Sequence, residues 1–148
     1  MKKINIAVWG LGRHSISRII PALSCIEELS VVGVCSRNPE SVAKYALEFG
    51  CAGWTDSSEM LNNVEVDIVY IATPIGVHAE QAEQVLKAGK HVWSEKPLTC
   101  NYEDTKFLVN LAKQNKKMLT EGFMFLHHPQ FKKIQDYIKD KKYGQIHS

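Results

Sequence analysis

Two glycines near the N-terminus have the spacing of a phosphate-binding turn. Gly10 and Gly12 directly follow a short apolar run at residues 4–9, and helical spacing of apolar residues begins just beyond them. Glycine permits a tight turn and a close approach of the backbone to a pyrophosphate, and amides at the start of the next helix would face its charge. The third fingerprint position holds Ser15, which is small enough to keep the helix close to the strand. Such turns also occur without a ligand, but a position straight after an N-terminal strand favours dinucleotide binding.

Ser36 and Arg37 stand where a dinucleotide-binding chain contacts the adenosine ribose. They follow the second apolar run, at residues 31–35, and no acidic residue appears at this tip before Glu40. An acidic side chain here would hold the 2′-hydroxyl of NAD, whereas a hydroxyl and a guanidinium can bind a 2′-phosphate through charge-assisted hydrogen bonds. The pattern therefore favours NADP(H) over NAD(H). The alternative is that Arg37 is a solvated loop charge.

Thr73 and Pro74 follow the strongest buried-strand signal of the chain, at residues 67–72. The carboxyl ends of central strands line the ligand crevice of open α/β sheets, so we expect these two residues to border the cofactor. His78 follows at the start of the next helix. It could face the crevice or be a half-exposed helix residue, and the sequence leaves both possibilities open.

Glu95, Lys96 and Pro97 follow a further short strand signal at residues 91–94. A lysine at the carboxyl end of a sheet strand can hydrogen-bond a substrate oxygen and pass a proton while a hydride moves to or from a nicotinamide. Glu-Lys pairs are common on protein surfaces and mean little by themselves. The position at a strand end therefore carries this interpretation.

The hydrophobic pattern of the sequence indicates the elements that position these groups. It alternates between short apolar runs and longer helical stretches. This alternation predicts an α/β fold with a Rossmann-type, doubly wound, mostly parallel six-stranded sheet. The expected strands are residues 4–9, 31–35, 51–54, 67–72, 91–94 and 118–122. The expected helices are residues 16–29 with a kink or an early break at Pro21, 39–49 ended by Gly50, 57–62, 77–88, about 101–113 and a last one around 131–138 ended by Gly144.

Composition describes an ordinary globular domain and excludes several other classes. The length of 148 residues is typical of a single hydrophobic core, and a net charge of +2 supplies no broad field for nucleic acid. No apolar run approaches the roughly 18 residues of a membrane helix. The four cysteines form no CxxC pair and no metal-like spacing, so a reducing cytoplasm is the simplest location and no metal is expected.

The ordered motifs together resemble the N-terminal domain of the Gfo/Idh/MocA oxidoreductase family. The resemblance rests on the segments IAVWGLGRHS, CSRNPE, IATPIGVHAE, AGKHVWSEKPL and EGFMFLHHPQF, and it spans essentially the whole chain. It implies an NAD(P)-dependent enzyme that moves a hydride between nicotinamide and a carbinol of a sugar, polyol, nucleotide sugar or related diol. The departures from the family pattern are Ile75, where many relatives have Asn, and Leu126, where related sequences have Arg.

The resemblance also implies a role for each motif. The pyrophosphate would be held by the glycine turn, that is by Gly10, Gly12, Arg13 and His14. The ribose of the adenosine would lie at Ser36 and Arg37, and the rest of the cofactor would be bordered by Thr73, Pro74, His78, Glu95, Lys96 and Pro97. Lys96 would also reach the reacting hydroxyl, with His127 and His128 on the substrate side. The alternative is that one of these two histidines caps the following helix. A cis peptide before Pro97 is expected, against a background of about 5% for X-Pro bonds.

The resemblance further implies that residues 1–122 form the dinucleotide-binding domain. Residues 123–148 would be a connecting helix and the truncated start of a second α/β domain, with a new extended segment beginning after Gly144. That second domain would complete the substrate site and form a homo-oligomer interface, so the isolated fragment is expected to be inactive or nearly so. The alternatives are a regulatory module that senses NAD(P) without reacting it and a redox-inactive structural subunit; the Glu95, Lys96 and Pro97 motif argues against the first.

Overall fold

A computed structural model describes residues 3–140, 143 and 144 of the chain. Its core is a six-stranded sheet in the order β3-β2-β1-β4-β5-β6, and every neighbouring pair is parallel. The strands are β1 Ile4–Trp9, β2 Leu29–Cys35, β3 Ala52–Trp54, β4 Ile68–Ile71, β5 His91–Ser94 and β6 Leu119–Glu121. The predicted doubly wound α/β architecture is confirmed.

Helices connect the strands on both faces of the sheet. They are α1 Ile20–Ser24, α2 Pro39–Phe49, α3 Ser57–Asn62, α4 His78–Lys87, α5 Tyr102–Gln114 and α6 Pro129–Lys139. Helix α2 has the predicted ends, because the Asn38 side chain accepts a hydrogen bond from the Ser41 amide and Gly50 adopts a left-handed conformation with φ of 64°. Within the described residues, no helix has both the length and the apolar character needed to cross a membrane.

The first crossover differs from the sequence prediction. Helical spacing was expected as far as Leu29, with a kink or an early break at Pro21. A π-helical turn, Ser15–Ile19, instead leads into α1, which contains Pro21 and ends at Ser24. Proline lacks an amide hydrogen and crowds the preceding turn, and the wider π-helical turn just before Pro21 accommodates it. Leu29 opens β2 instead, where its side chain packs against the sheet core.

The last helix ends before the glycine that was expected to close it. It ends at Lys139, with Asp140 as its cap, so Gly144 does not end it. Helix α6 has no fully buried residue, and Ile134 and Ile138 are about half exposed. The extended segment expected after Gly144 lies outside the described residues.

Two apolar layers cover the two faces of the sheet. Side chains of α1 and α2 pack on one face, and side chains of α3, α4 and α5 pack on the other. The direction of winding reverses between β1 and β4, which are hydrogen-bonded neighbours. In sheets of this type ligands bind beyond the carboxyl ends of the strands at that point. The predicted site motifs follow β1, β2, β4 and β5 at this edge.

Candidate functional site

The glycine turn is pressed against the end of β4. Gly10 has a φ of 112°, and a Cβ atom placed on it would lie 2.7 Å from the carbonyl carbon of Ala72 and 2.8 Å from the Thr73 amide nitrogen. Neither the backbone angle nor the space allows another residue. Protein packing by itself therefore requires glycine at position 10.

Gly12 is different, because a Cβ atom there would meet nothing within 4 Å. The space beside it is open, so the fold does not need glycine at this position. Ser15 fixes the turn from below: its hydroxyl is buried and lies 2.7 Å from the Gly10 carbonyl oxygen and 2.9 Å from that of Gly12, donating to one at a time. The small residue expected at the third fingerprint position thus anchors the turn, while Gly12 leaves room for a close backbone approach by a ligand.

Ser36 and Arg37 lie beside this turn. The Gly10 amide donates to the Cys35 carbonyl oxygen at 2.8 Å, which ties the end of β2 to the turn. Ser36 is half-buried and Arg37 is exposed. In the part of the chain that the structure describes, the Arg37 guanidinium has no hydrogen bond or ion pair, so its donors are free to meet an anion.

His78 is fully buried, at 2% exposure, and joins the ends of β4 and β5. Its Nε2 lies 2.7 Å from the carbonyl oxygen of Thr73, and its Nδ1 lies 2.9 Å from that of Pro97. The half-exposed alternative is therefore wrong, and the ring holds two crevice loops together. Contact between His78 and a cofactor stays a prediction, since both ring nitrogens are engaged with the protein. The Thr73 hydroxyl donates to the Gln81 side chain, and Pro74 is exposed at the crevice.

Glu95 receives hydrogen bonds from two other elements of the fold. Its Oε1 accepts from the Tyr70 hydroxyl at 2.6 Å and lies 3.1 Å from His14 Nε2, while its Oε2 accepts from the Lys96 amide at 3.2 Å. Burial and the neighbouring Glu95 carboxylate raise the pKa of Tyr70, so its hydroxyl remains a donor. His14 therefore reaches across to β5 with its side chain, while its backbone lies in the glycine turn. The side chain of Arg13 is exposed at the same turn.

Lys96 is an exposed, unpartnered cation at the carboxyl end of β5. Among the described residues its ammonium group has neither a hydrogen bond nor an ion pair. The expected cis peptide between Lys96 and Pro97 is confirmed. Just beyond it, the Leu98 amide donates to the Glu121 carboxylate at 2.8 Å, which holds this loop against the end of β6.

Lys96 borders a cavity of about 470 Å³ that is mostly apolar. The other lining residues are Gly122, Phe123, Met124, Phe125, His128, Gln130, Phe131 and Ile134. Rings of Phe123, Phe125 and Phe131 pack edge to face along its wall. An apolar pocket with one free cation at its edge can hold a small molecule and supply or accept a proton there.

The two candidate histidines separate in the structure. His128 lies at the Lys96 cavity, and its Nδ1 caps α6 by accepting from the Gln130 amide at 3.2 Å. His127 lines a different cavity, of about 740 Å³, over the sheet face formed by β1, β4, β5 and β6. Only one of the pair therefore shares the cavity that Lys96 borders.

Comparison with known proteins agrees with the fold and the motifs. A model of the Gfo/Idh/MocA family, an oxidoreductase family with an NAD-binding Rossmann fold, matches residues 4–123. The chain belongs to this family. The expected resemblance is confirmed over the whole sheet.

Relatives of this Gfo/Idh/MocA chain act on sugars and inositols. It is 34% identical to the dTDP-3,4-didehydro-2,6-dideoxy-alpha-D-glucose 3-reductase of Saccharopolyspora spinosa over 145 residues, covering 98% of this chain and 44% of the relative. It is 32% identical to the scyllo-inositol 2-dehydrogenase (NADP(+)) IolU of Bacillus subtilis over 122 residues, covering 82% and 37%. The structure of KijD10, a 3-ketoreductase from Actinomadura kijaniata in complex with TDP-benzene and NADP, matches with a TM-score of 0.93 at 32% identity, covering 98% of this chain and 46% of that chain. The chain thus spans less than half the length of these relatives.

Two site residues of this family member were missed from the sequence. Glu121 ends β6, and the argument that strand ends border the crevice would have found it. Tyr70 lies inside an apolar strand, where an aromatic residue is typical of the core. No local signal distinguishes it, because its partner Glu95 belongs to another strand.

Proposed function

We propose that the chain binds NADP(H) in the crevice and is the cofactor-binding part of a sugar or polyol oxidoreductase. The observation that carries the proposal is that two features occur at the same edge of the sheet. They are the open space beside Gly12 and the ammonium group of Lys96, which has no partner among the described residues. Reduction of a carbonyl by a nicotinamide needs a turn that binds the phosphates of the dinucleotide and a group that donates a proton to the carbonyl oxygen. A sensing module would have no use for the unpartnered lysine at a small-molecule cavity.

The residues present fit a dinucleotide. Gly10 sets the turn, and Gly12 leaves space into which a pyrophosphate can move close to the backbone. The helical segment at residues 13–24 begins there, and its first amides have no partners within the helix. Arg13 and the backbone of His14 would flank the phosphates, with the His14 side chain turned to Glu95, and Glu95, Lys96 and Pro97 would lie at the nicotinamide end.

The exposed Arg37 and the hydroxyl of Ser36 support a preference for NADP(H). Their place beside the glycine turn is where the adenosine ribose lies in this fold, and Arg37 has donors free for a 2′-phosphate. Two relatives agree, since IolU carries NADP(+) in its name and KijD10 was solved with NADP.

Lys96 acts as the proton donor or acceptor in this proposal. When bound, the reduced nicotinamide supplies a hydride to a carbonyl carbon. Lys96 then gives its proton to the carbonyl oxygen, which becomes the hydroxyl of the product, and the lysine is left as a neutral amine. In the opposite direction the amine takes the hydroxyl proton. The aromatic wall of the neighbouring cavity would exclude water from this exchange.

The substrate class is a carbinol or ketone of a sugar, polyol, nucleotide sugar or related diol, as in the named relatives. We assign residues 1–122 to the cofactor-binding domain and residues 123–148 to a connection leading out of it. The 148 residues span under half of the matched relatives, and we expect little turnover from them by themselves. An enzyme of the length of these relatives would form a homo-oligomer through the region that these residues do not match.

Fluorescence titration of the chain with NADPH and with NADH tests the proposal. We expect saturable binding of both, with NADPH bound at least about tenfold more tightly, because hydrogen bonds to a charged phosphate contribute about 1.5–3 kcal/mol. Tighter binding of NADH would overturn the NADP(H) preference. Failure to bind either nucleotide would overturn the proposed function as a whole.

A further inference from the structure

One carboxylate connects three elements around the crevice. Glu95, at the end of β5, accepts from Tyr70 on β4 and contacts His14 in the turn that follows β1. Its second oxygen accepts from the Lys96 amide. Because β4 lies between β1 and β5 in the sheet, the contact from His14 to Glu95 bridges the point where the winding of the sheet reverses. The glycine turn and the Lys96 backbone are thus joined through one side chain.

The hydrogen-bond donors of Glu95 differ in their exposure to solvent. Tyr70 is 3% exposed as a whole residue and the Glu95 side chain is 13% exposed, so this carboxylate depends on protein donors. Tyr70 approaches from the sheet side, and its hydroxyl has this carboxylate as its acceptor. His14 approaches from the solvent side, with 51% of its side chain exposed. Both donors bind the same oxygen, Oε1, and the other oxygen, Oε2, accepts from the Lys96 amide.

We propose that Tyr70 and His14 are positioning residues that hold the Glu95 carboxylate and, through it, set the separation between the glycine turn and Lys96. This role rests on the proposed function, because the separation matters only if one ligand spans both groups. Neither side chain needs to touch the reacting atoms. Their effect reaches Lys96 through a single amide hydrogen bond.

The first test measures that amide directly, without any ligand. Amide hydrogen exchange is followed by NMR in the 148-residue chain and in its Tyr70→Phe and His14→Ala variants. We expect exchange at Lys96 to become about fivefold faster in each variant, the equivalent of about 1 kcal/mol for one hydrogen bond. The Leu98 amide is the internal control, because it is held by Glu121 and not by Glu95. Unchanged exchange at Lys96, or equal acceleration at Leu98, would overturn the positioning role.

The second test asks whether the same contacts matter for binding. We expect Tyr70→Phe and His14→Ala each to weaken NADPH binding by about fivefold in the native background, and by less than about twofold when Glu95 is already Ala, since both act through that carboxylate. The matched control is Tyr45→Phe, on α2 and away from the crevice, which should leave the affinity unchanged. Should Glu95→Ala fail to fold, the exchange at Lys96 in the two single variants decides.

The outcomes separate this inference from the function on which it rests. If the native chain binds NADPH and the two variants bind it equally well, the positioning role is wrong and the proposed function stands. If the native chain binds no dinucleotide, both are wrong. Equal losses in the native and Glu95→Ala backgrounds would show that Tyr70 and His14 act independently of Glu95, and would also overturn the inference.

Discussion

Gly10 lies so close to Ala72 that a Cβ atom on it would overlap the carbonyl group at 2.7 Å, whereas Gly12 two residues later faces open space. We therefore expect Gly10→Ala to lower the free energy of unfolding by about 2–4 kcal/mol through backbone strain and overlap. Gly12→Ala should change it by less than about 1 kcal/mol, yet weaken NADPH binding about tenfold, because the new methyl group fills the space for the pyrophosphate. Urea unfolding and fluorescence titration of both variants check this. Equal effects of the two substitutions on stability would contradict it.

Replacing Lys96 with Met removes the ammonium group but keeps much of the side-chain volume. In the active enzyme we expect turnover to fall by about 10²–10⁴-fold, the usual contribution of a positioned proton donor, with little change in NADPH affinity. Steady-state kinetics and titration measure the two quantities. The control is Lys87→Met on the surface of α4, where the lysine pairs with Glu83. An unaffected turnover in Lys96→Met would exclude the catalytic role.

Arg37 should discriminate between the two dinucleotides. We expect Arg37→Ala to weaken NADPH binding by about tenfold or more and NADH binding by less than about twofold, because only NADPH carries the 2′-phosphate. Arg18→Ala, which removes an exposed arginine from the helical segment at residues 13–24, serves as the charge-matched control. Parallel losses for both dinucleotides would mean that Arg37 contributes only general charge.

We expect the main role of His78 to be stabilisation of the fold. Phe in its place would remove both ring nitrogens that lie within hydrogen-bond distance of the carbonyl oxygens of Thr73 and Pro97, and we expect a loss of about 2–4 kcal/mol in the free energy of unfolding. His78→Gln retains an amide donor and should lose about half as much. Urea unfolding of both variants distinguishes the two. A Phe variant as stable as the native chain would show that the ring does not hold the two loops.

The cysteines should differ sharply in reactivity. Burial, with smaller contributions from Asp56 and Glu59, raises the pKa of Cys35 to about 12, while Cys25 and Cys100 are exposed. Only the thiolate reacts, so at pH 8 a thiol reagent should modify Cys25 and Cys100 quickly and Cys35 only after unfolding. Raising the pH to about 9 should not change this order, since the pKa of Cys35 is still well above it. Peptide mass spectrometry identifies the modified residues. Early labelling of Cys35 would contradict the buried position at the end of β2.

Much of this fold follows from local patterns. Short apolar runs separated by helical spacing predicted all six strands, and the capping signals at Asn38 and Gly50 placed both ends of α2. The end of the helical segment between β1 and β2 could not be predicted in this way. Apolar residues at helical spacing continue as far as Leu29, although the chain turns at residues 25–28. Periodicity alone does not distinguish the end of a buried helix from the start of a buried strand.

The sequence by itself determined which residues stand at the ends of strands, and so which groups could border a crevice: the glycine turn, Arg37, Thr73 and Lys96. Only the tertiary structure decided what each contacts. His14 and Glu95 are 81 residues apart, Tyr70 was indistinguishable from a core aromatic residue, and His127 and His128 are neighbours in sequence that line different cavities. The reason is physical. Strand and helix formation depend on patterns within a few residues, whereas hydrogen-bond partners depend on the order in which the sheet brings distant strand ends together.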